Sequence, residues 1–374
     1  MFYFLIFIGL IYFIGFAILR YGFKNMQTPL IPIDYKPSLK FSIIVPARNE
    51  EHNIVELIHS FEQLNYPESH YELIIVDDFS EDSTVEKILP YCSGSIRLLQ
   101  LKNLEEQTLK NKKRALHEGI QIAHHDFIIT TDADCVFDKN WLRTIAYFIE
   151  RDQSRMAIAP VSFSKHGTLF AAFQSLDFMM MQSIGISLYA LGSASMNNGA
   201  NFVFEKQLFF ELKGFQGVDQ IASGDDFLFL NKYRQTANPK ISYAFHPEAI
   251  VQTLPQADVR SFFQQRVRWA SKMGNYKNLL LTSTLVFVFI FNLCCLILFV
   301  MAFSNTHYVM LCITFVALKI IAEALLLSRA KHFFNFKNAY LILISLQLPH
   351  IIYMVSAALF SKLKTYEWKG RVLR

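Results

Sequence analysis

Residues 41–50, FSIIVPARNE, 72–82, ELIIVDDFSED, and 126–134, DFIITTDAD, each pass from an unbroken apolar run into a polar turn, twice an acidic one. A short apolar run without alternation reads as a strand buried on both faces. Helix-like stretches at 50–63, 83–89 and 107–122 separate these runs, and a further run, IRLLQL, stands at 96–101. Strands alternating with helices predict a mostly parallel sheet covered on both sides, a doubly wound α/β domain. Ligands of such sheets bind beyond the carboxyl ends of the strands, where the strand order reverses. Those ends carry Pro46 to Glu50, Asp77 to Asp82, and Thr131 to Asp134. So much carboxylate on one edge calls for a cation or a cationic ligand.

Outward from this domain the chain turns strongly apolar. Of 374 residues, 52% are hydrophobic and 15% aromatic, too much for an ordinary soluble enzyme. Residues 2–19 are uncharged and apolar, long enough to span a bilayer with their flanking tyrosines. They lack the basic start, short apolar stretch and small-residue cleavage site of a signal peptide. Arg20 and Lys24 follow directly, which puts the next stretch in the cytoplasm. Residues 1–24 thus read as an anchor and 25–40 as a Pro-containing linker. Residues 41–277 read as the α/β domain, with interfacial helices expected within 168–190 and 258–277. Residues 278–374 read as a membrane region and basic tail, with apolar stretches at 281–303, 308–327 and 339–360. The net charge of +5 is mild, and basic residues cluster beside apolar stretches, which fits a membrane surface rather than nucleic acid. Five scattered cysteines without a C-x-x-C pair argue against a disulfide framework or zinc, and for a reducing compartment.

The loop after 41–45 has no glycine, so it is no dinucleotide cradle, and no P-loop occurs. Asp132-Ala133-Asp134 offers two hard carboxylates from one tight turn. That suits Mg2+ or Mn2+ sharing its remaining sites with phosphates and water. Gln265, Arg268 and Trp269 are spaced i, i+3 and i+4 and share one helix face. Arg there offers planar donors to phosphate, and Trp a flat apolar wall. Anchoring at lipid headgroups is the competing reading of that face.

Five motifs in order, VPARNE at 45–50, VDDFSED at 76–82, TDAD at 131–134, SGDD at 223–226 and QRVRW at 265–269, together with NGAN at 198–201, resemble family 2 glycosyltransferases of GT-A fold, in the membrane subgroup with Q-x-x-R-W. The resemblance covers about residues 41–277. It departs at Phe79, where the family usually has Gly and where the base pocket could differ, and at Gly-Asp-Asp in place of the commoner Glu-Asp. It implies that Pro46, Asn49 and Glu50 line the nucleoside pocket and that Asp78 contacts the base, most simply uracil. Lys112 would neutralise the diphosphate, a solvated basic helix face being the alternative. Asp132 and Asp134 would meet nucleotide and metal, Asp226 rather than Asp225 would be the general base, and Gln265, Arg268 and Trp269 would close over the donor. The implied reaction is inverting transfer from a nucleotide-sugar to a lipid or lipid-linked glycan, at the inner face of the cell membrane. A processive polysaccharide synthase ranks second, because about three C-terminal spans are few for a channel, and a non-catalytic nucleotide-sugar-binding protein third.

Lys319 and Glu323, four apart in an apolar run, read as an ion pair facing other helices or as a site near a lipid acceptor's head. Three straight C-terminal spans would put the basic tail (Lys362, Lys364, Lys369, Arg371, Arg374) outside, against the positive-inside rule. Pro349, between Gln347 and His350, predicts that residues 339–360 bend or lie at the interface, leaving the tail in the cytoplasm.

Overall fold

The computed structural model describes residues 2–104, 111–164, 167–217, 224–271, 278–362, 366–368 and 371–373. Ser223 of the fourth motif and Lys364, Lys369 and Arg374 of the tail lie outside the described residues.

Helix α1 (Phe2–Asn25) precedes the α/β part. There β1 (Phe41–Ala47), α2 (Ile54–Glu62), β2 (Tyr71–Asp77), α3 (Thr84–Ile88), β3 (Ile96–Gln100), α4 (Asn111–Ile122) and β4 (Phe127–Thr130) follow in the expected alternation. Next come α5 (Trp141–Asp152), β5 (Met156–Ile158), β6 (Val161–Phe163) and α6 (Leu169–Ala190), then β7 (Phe202–Glu205), α7 (Lys206–Glu211), α8 (Asp225–Arg234), β8 (Ile241–Tyr243), β9 (Val251–Thr253) and α9 (Val259–Ala270). Helices α10 (Leu279–Met301), α11 (Thr306–Phe333), α12 (Ala339–Ser345) and α13 (Gln347–Phe360) complete the helical part.

The main sheet has the order β3-β2-β1-β4-β7-β5-β8. β1 is parallel to both β2 and β4, so the order reverses between β1 and β4 and opens a crevice there. The sheet is mixed rather than wholly parallel, since β7 runs antiparallel to β4 and β5. Alternate residues explain the continuous apolar runs. Ile43, Val45, Leu73 and Ile75 pack with residues of α2 and α5, while Ile44, Ile74 and Val76 join a second core that runs on into α1, α6, α10 and α11. The α/β part and the apolar helices therefore share one core.

Helix α1 is packed, not trailing. A Cβ at Gly22 would stand 2.6 Å from the Ser187 carbonyl of α6, so this crossing admits no side chain. Among the described residues four helices, α1, α6, α10 and α11, are long and apolar enough to cross a membrane. Helices α12 and α13 meet at 70° across Leu346, which agrees with the expected bend. Pro349 would clash with the carbonyl of Ser345 in a continuous helix; in the first turn of α13 its missing N–H costs nothing.

Candidate active site

A cavity of about 480 Å³ opens at the carboxyl ends of β1, β2 and β4. Its wall includes Pro46, Glu50, Asp78, Lys112, Asp132, Asp134, Asp226, Gln265, Arg268 and Trp269. The chain thus brings together residues as far apart as Pro46 and Trp269 on four kinds of support: strand ends, the start of α4, the first turn of α8, and one face of α9. Asn49 is the exception among the expected residues. It does not line the cavity; it stands at φ 53°, its backbone N–H donates to the Ser80 hydroxyl, and its side-chain oxygen accepts the Glu81 N–H. Its place is to tie the β1 loop to the β2 loop.

Arg48, to which the sequence alone assigns no role, makes the same tie from the other side. Its guanidinium donates to the Asp78 carbonyl at 2.8 Å and the Phe79 carbonyl at 3.0 Å. Phe79 has φ 58°, the left-handed region that favours glycine, which accounts for the family's preference for Gly there. The Phe79 ring is exposed and is not part of the cavity wall.

Asp132 accepts the Lys112 ammonium. Burial pulls that ammonium down, but the carboxylates of Asp132, Asp225 and Asp226 outweigh it and hold Lys112 above the ordinary lysine value. Lys112 is therefore a fixed cation facing the acidic edge, not a solvated side chain of an exposed helix face. Asp134 accepts the Thr253 hydroxyl of β9 at 2.9 Å and the Cys135 thiol at 3.8 Å. Burial pushes the Cys135 thiol well above its usual range, so it is a neutral donor. Among the described residues no group of three His, Cys, Asp or Glu side chains could hold an ion alone. Two carboxylates on the wall of this cavity fit a cation that completes its shell with substrate oxygens and water.

Gly224 caps α8 at φ 88°, turning the chain so that Asp225 and Asp226 fall in its first turn. The helix dipole favours carboxylates there. Asp225 is buried and Asp226 half-buried, and both line the cavity. The Asp226 carboxyl lies against Gly199, where an added Cβ would touch it at 3.4–3.6 Å. The Gly199 carbonyl is held by the Thr130 hydroxyl at 2.8 Å, which fixes the NGAN turn to the end of β4.

Part of the remaining wall comes from α6, through Phe178, Met181, Gln182 and Gly185. The sequence signalled this helix by length and by its Met and Phe content only. Because it is apolar on every side, no periodicity tells which face meets the cavity. Trp269 stands 5.8 Å from Phe178, so α6 and α9 close the apolar end of the cavity together.

This crevice at the strand reversal, edged with carboxylates and lined by Q-x-x-R-W, is that of the GT-A fold. Residues 42–212 match the family model of glycosyl transferase family 2, and the chain carries a domain of that family. It is 31% identical over 117 residues to a poly(ribitol-phosphate) beta-N-acetylglucosaminyltransferase of Staphylococcus aureus, 31% of this chain and 20% of that protein. It is 23% identical over 246 residues to the poly-beta-1,6-N-acetyl-D-glucosamine synthase of Staphylococcus epidermidis, 64% of this chain and 56% of that one. The chain thus spans less than two thirds of either relative. The fold is shared with a mannosyltransferase of Pyrobaculum calidifontis solved with GDP-Man and Mn2+, at 15% identity, 96% coverage of both chains and a TM-score of 0.55.

Proposed function

We propose that the protein is a membrane-bound, inverting glycosyltransferase that moves a sugar from a nucleotide-sugar, a UDP-sugar, to a lipid or lipid-linked glycan at the cytoplasmic face of the cell membrane. One observation carries this reading: a single cavity gathers the acidic strand ends, Lys112, Asp226 and the α9 face. Asp226 takes the proton of the acceptor hydroxyl as its oxygen attacks the anomeric carbon opposite the diphosphate. Lys112 and Arg268 face the charge that builds on the leaving diphosphate. Pro46, Glu50 and Asp78 hold the nucleoside, and Gln265 and Trp269 close over the sugar. Asp132 and Asp134 would hold Mg2+ or Mn2+, whose charge neutralises the diphosphate when bound.

Both curated relatives carry N-acetylglucosamine in their names, which makes UDP-N-acetylglucosamine the first donor to test. The test is nucleotide release from a panel of UDP- and GDP-sugars by purified protein in lipid. One donor should be turned over well above the rest, and no release from any donor by folded protein removes the reading. The synthase relative favours processive polymerisation as the second reading. Product length distinguishes the two, a single added residue supporting the first.

Arg268→Lys keeps the charge but loses the planar fork, and turnover should fall about tenfold or more. Equal activity would favour simple headgroup anchoring. A cytoplasmic tail is part of this reading, supported by the bend between α12 and α13 and by the basic residues that follow. A C-terminal reporter that works only outside the cytoplasm is expected to stay silent, and a strong signal would restore three ordinary spans.

A further inference from the structure

Between Gln265 and Trp269, Arg266 turns away from the cavity and into the helical part. It is buried, and it is joined to Asp177 of α6, Nε at 2.9 Å and Nη2 at 2.8 Å from Oδ2. The other carboxylate oxygen of Asp177 accepts the Tyr353 hydroxyl and faces His350 Nε2 at 3.6 Å, both on α13. His350 Nδ1 meets Lys319 at 3.2 Å, and Lys319 holds Gln347 at 2.9 Å and Glu323 at 2.5 Å. A continuous polar chain thus runs from the buried Lys319–Glu323 pair, across the start of the bent helix, to Arg266.

At the cavity end, the Arg266 guanidinium lies 4.3 Å from the centre of the Trp269 ring and 4.4 Å from that of Phe262. Its Nη1 also donates to the Gln265 carboxamide. A guanidinium stacked on an indole face and clamped by a carboxylate fixes the plane of the ring. A buried ion pair adds little net stability over apolar packing of the same volume, so fixed geometry is what this one supplies.

We propose that Arg266, held by Asp177, is the positioning residue for Trp269 and Gln265, and that α13 supports the clamp through Tyr353 and His350. This rests on the proposed role of Trp269 in closing over the donor sugar. Arg266→Lys preserves the ion pair and removes the planar stack; Asp177→Asn preserves shape and removes the clamping charge.

The readout is 19F NMR of 5-fluorotryptophan-labelled full-length protein in lipid nanodiscs, with the Trp269 resonance assigned by Trp269→Phe. In both variants the Trp269 resonance should shift or split while that of Trp141, which is held by Asn201 and Phe137 and not by Arg266, stays in place. Donor turnover should fall at least tenfold with donor KM within twofold. A Trp269 resonance unmoved in both variants overturns the proposal, whatever happens to activity. If Arg266→Lys yields no folded protein, Asp177→Asn decides by the same signal. A wild-type protein that turns over no nucleotide-sugar would sink the transferase reading, and the resonance would still report on the clamp.

Discussion

Asp226→Asn is expected to lower sugar transfer by roughly two orders of magnitude or more, with donor binding little changed. The amide keeps the shape of the side chain against Gly199 and removes only the proton acceptor. Asp225 is the necessary comparison, since both residues sit in the first turn of α8 and both act on Lys112. Asp225 is the more buried of the two, which suits a structural carboxylate. Single-turnover transfer and nucleotide binding, measured on both variants, check the assignment. Near-native turnover in Asp226→Asn together with loss in Asp225→Asn would reverse it.

Asp134→Ala should abolish divalent-dependent donor binding, because a weakly held ion loses one of two protein ligands. The Thr253 hydroxyl and Cys135 thiol that aim Asp134 remain and cannot replace it as anionic ligands. Excess chelator should do the same to the native protein, with activity restored by Mg2+ or Mn2+. Donor titration by calorimetry with and without the ion reads both effects. Full activity in chelator would remove the metal from the account.

The β1–β4 half of the fold was legible because its strands are buried on both faces and announce themselves as apolar runs of full length. The second half was not. β5, β6, β8 and β9 each hold three residues, too few for any periodicity, and exist only through their partners in the sheets. The antiparallel course of β7 has no local signal at all. Within the site, Asp132 and Asp134 could be located from a motif at a strand end, Asp226 from one at a helix start, and the α9 face from helical spacing. Asn49 was misplaced because its motif gives no sign of a left-handed backbone. Arg266 and the lining face of α6 were invisible because α6 is apolar all round and Arg266 points off the recognised face.

Transfer of a sugar from a nucleotide to an acceptor in the membrane is tested most directly by incubating radiolabelled nucleotide-sugars with membranes containing the protein, then separating lipid from polymer, with Asp226→Asn as the blank. Label entering the lipid fraction from one donor, dependent on divalent ion and absent in the blank, is the predicted result. Label that enters neither fraction from any donor, or enters equally in the blank, would contradict it.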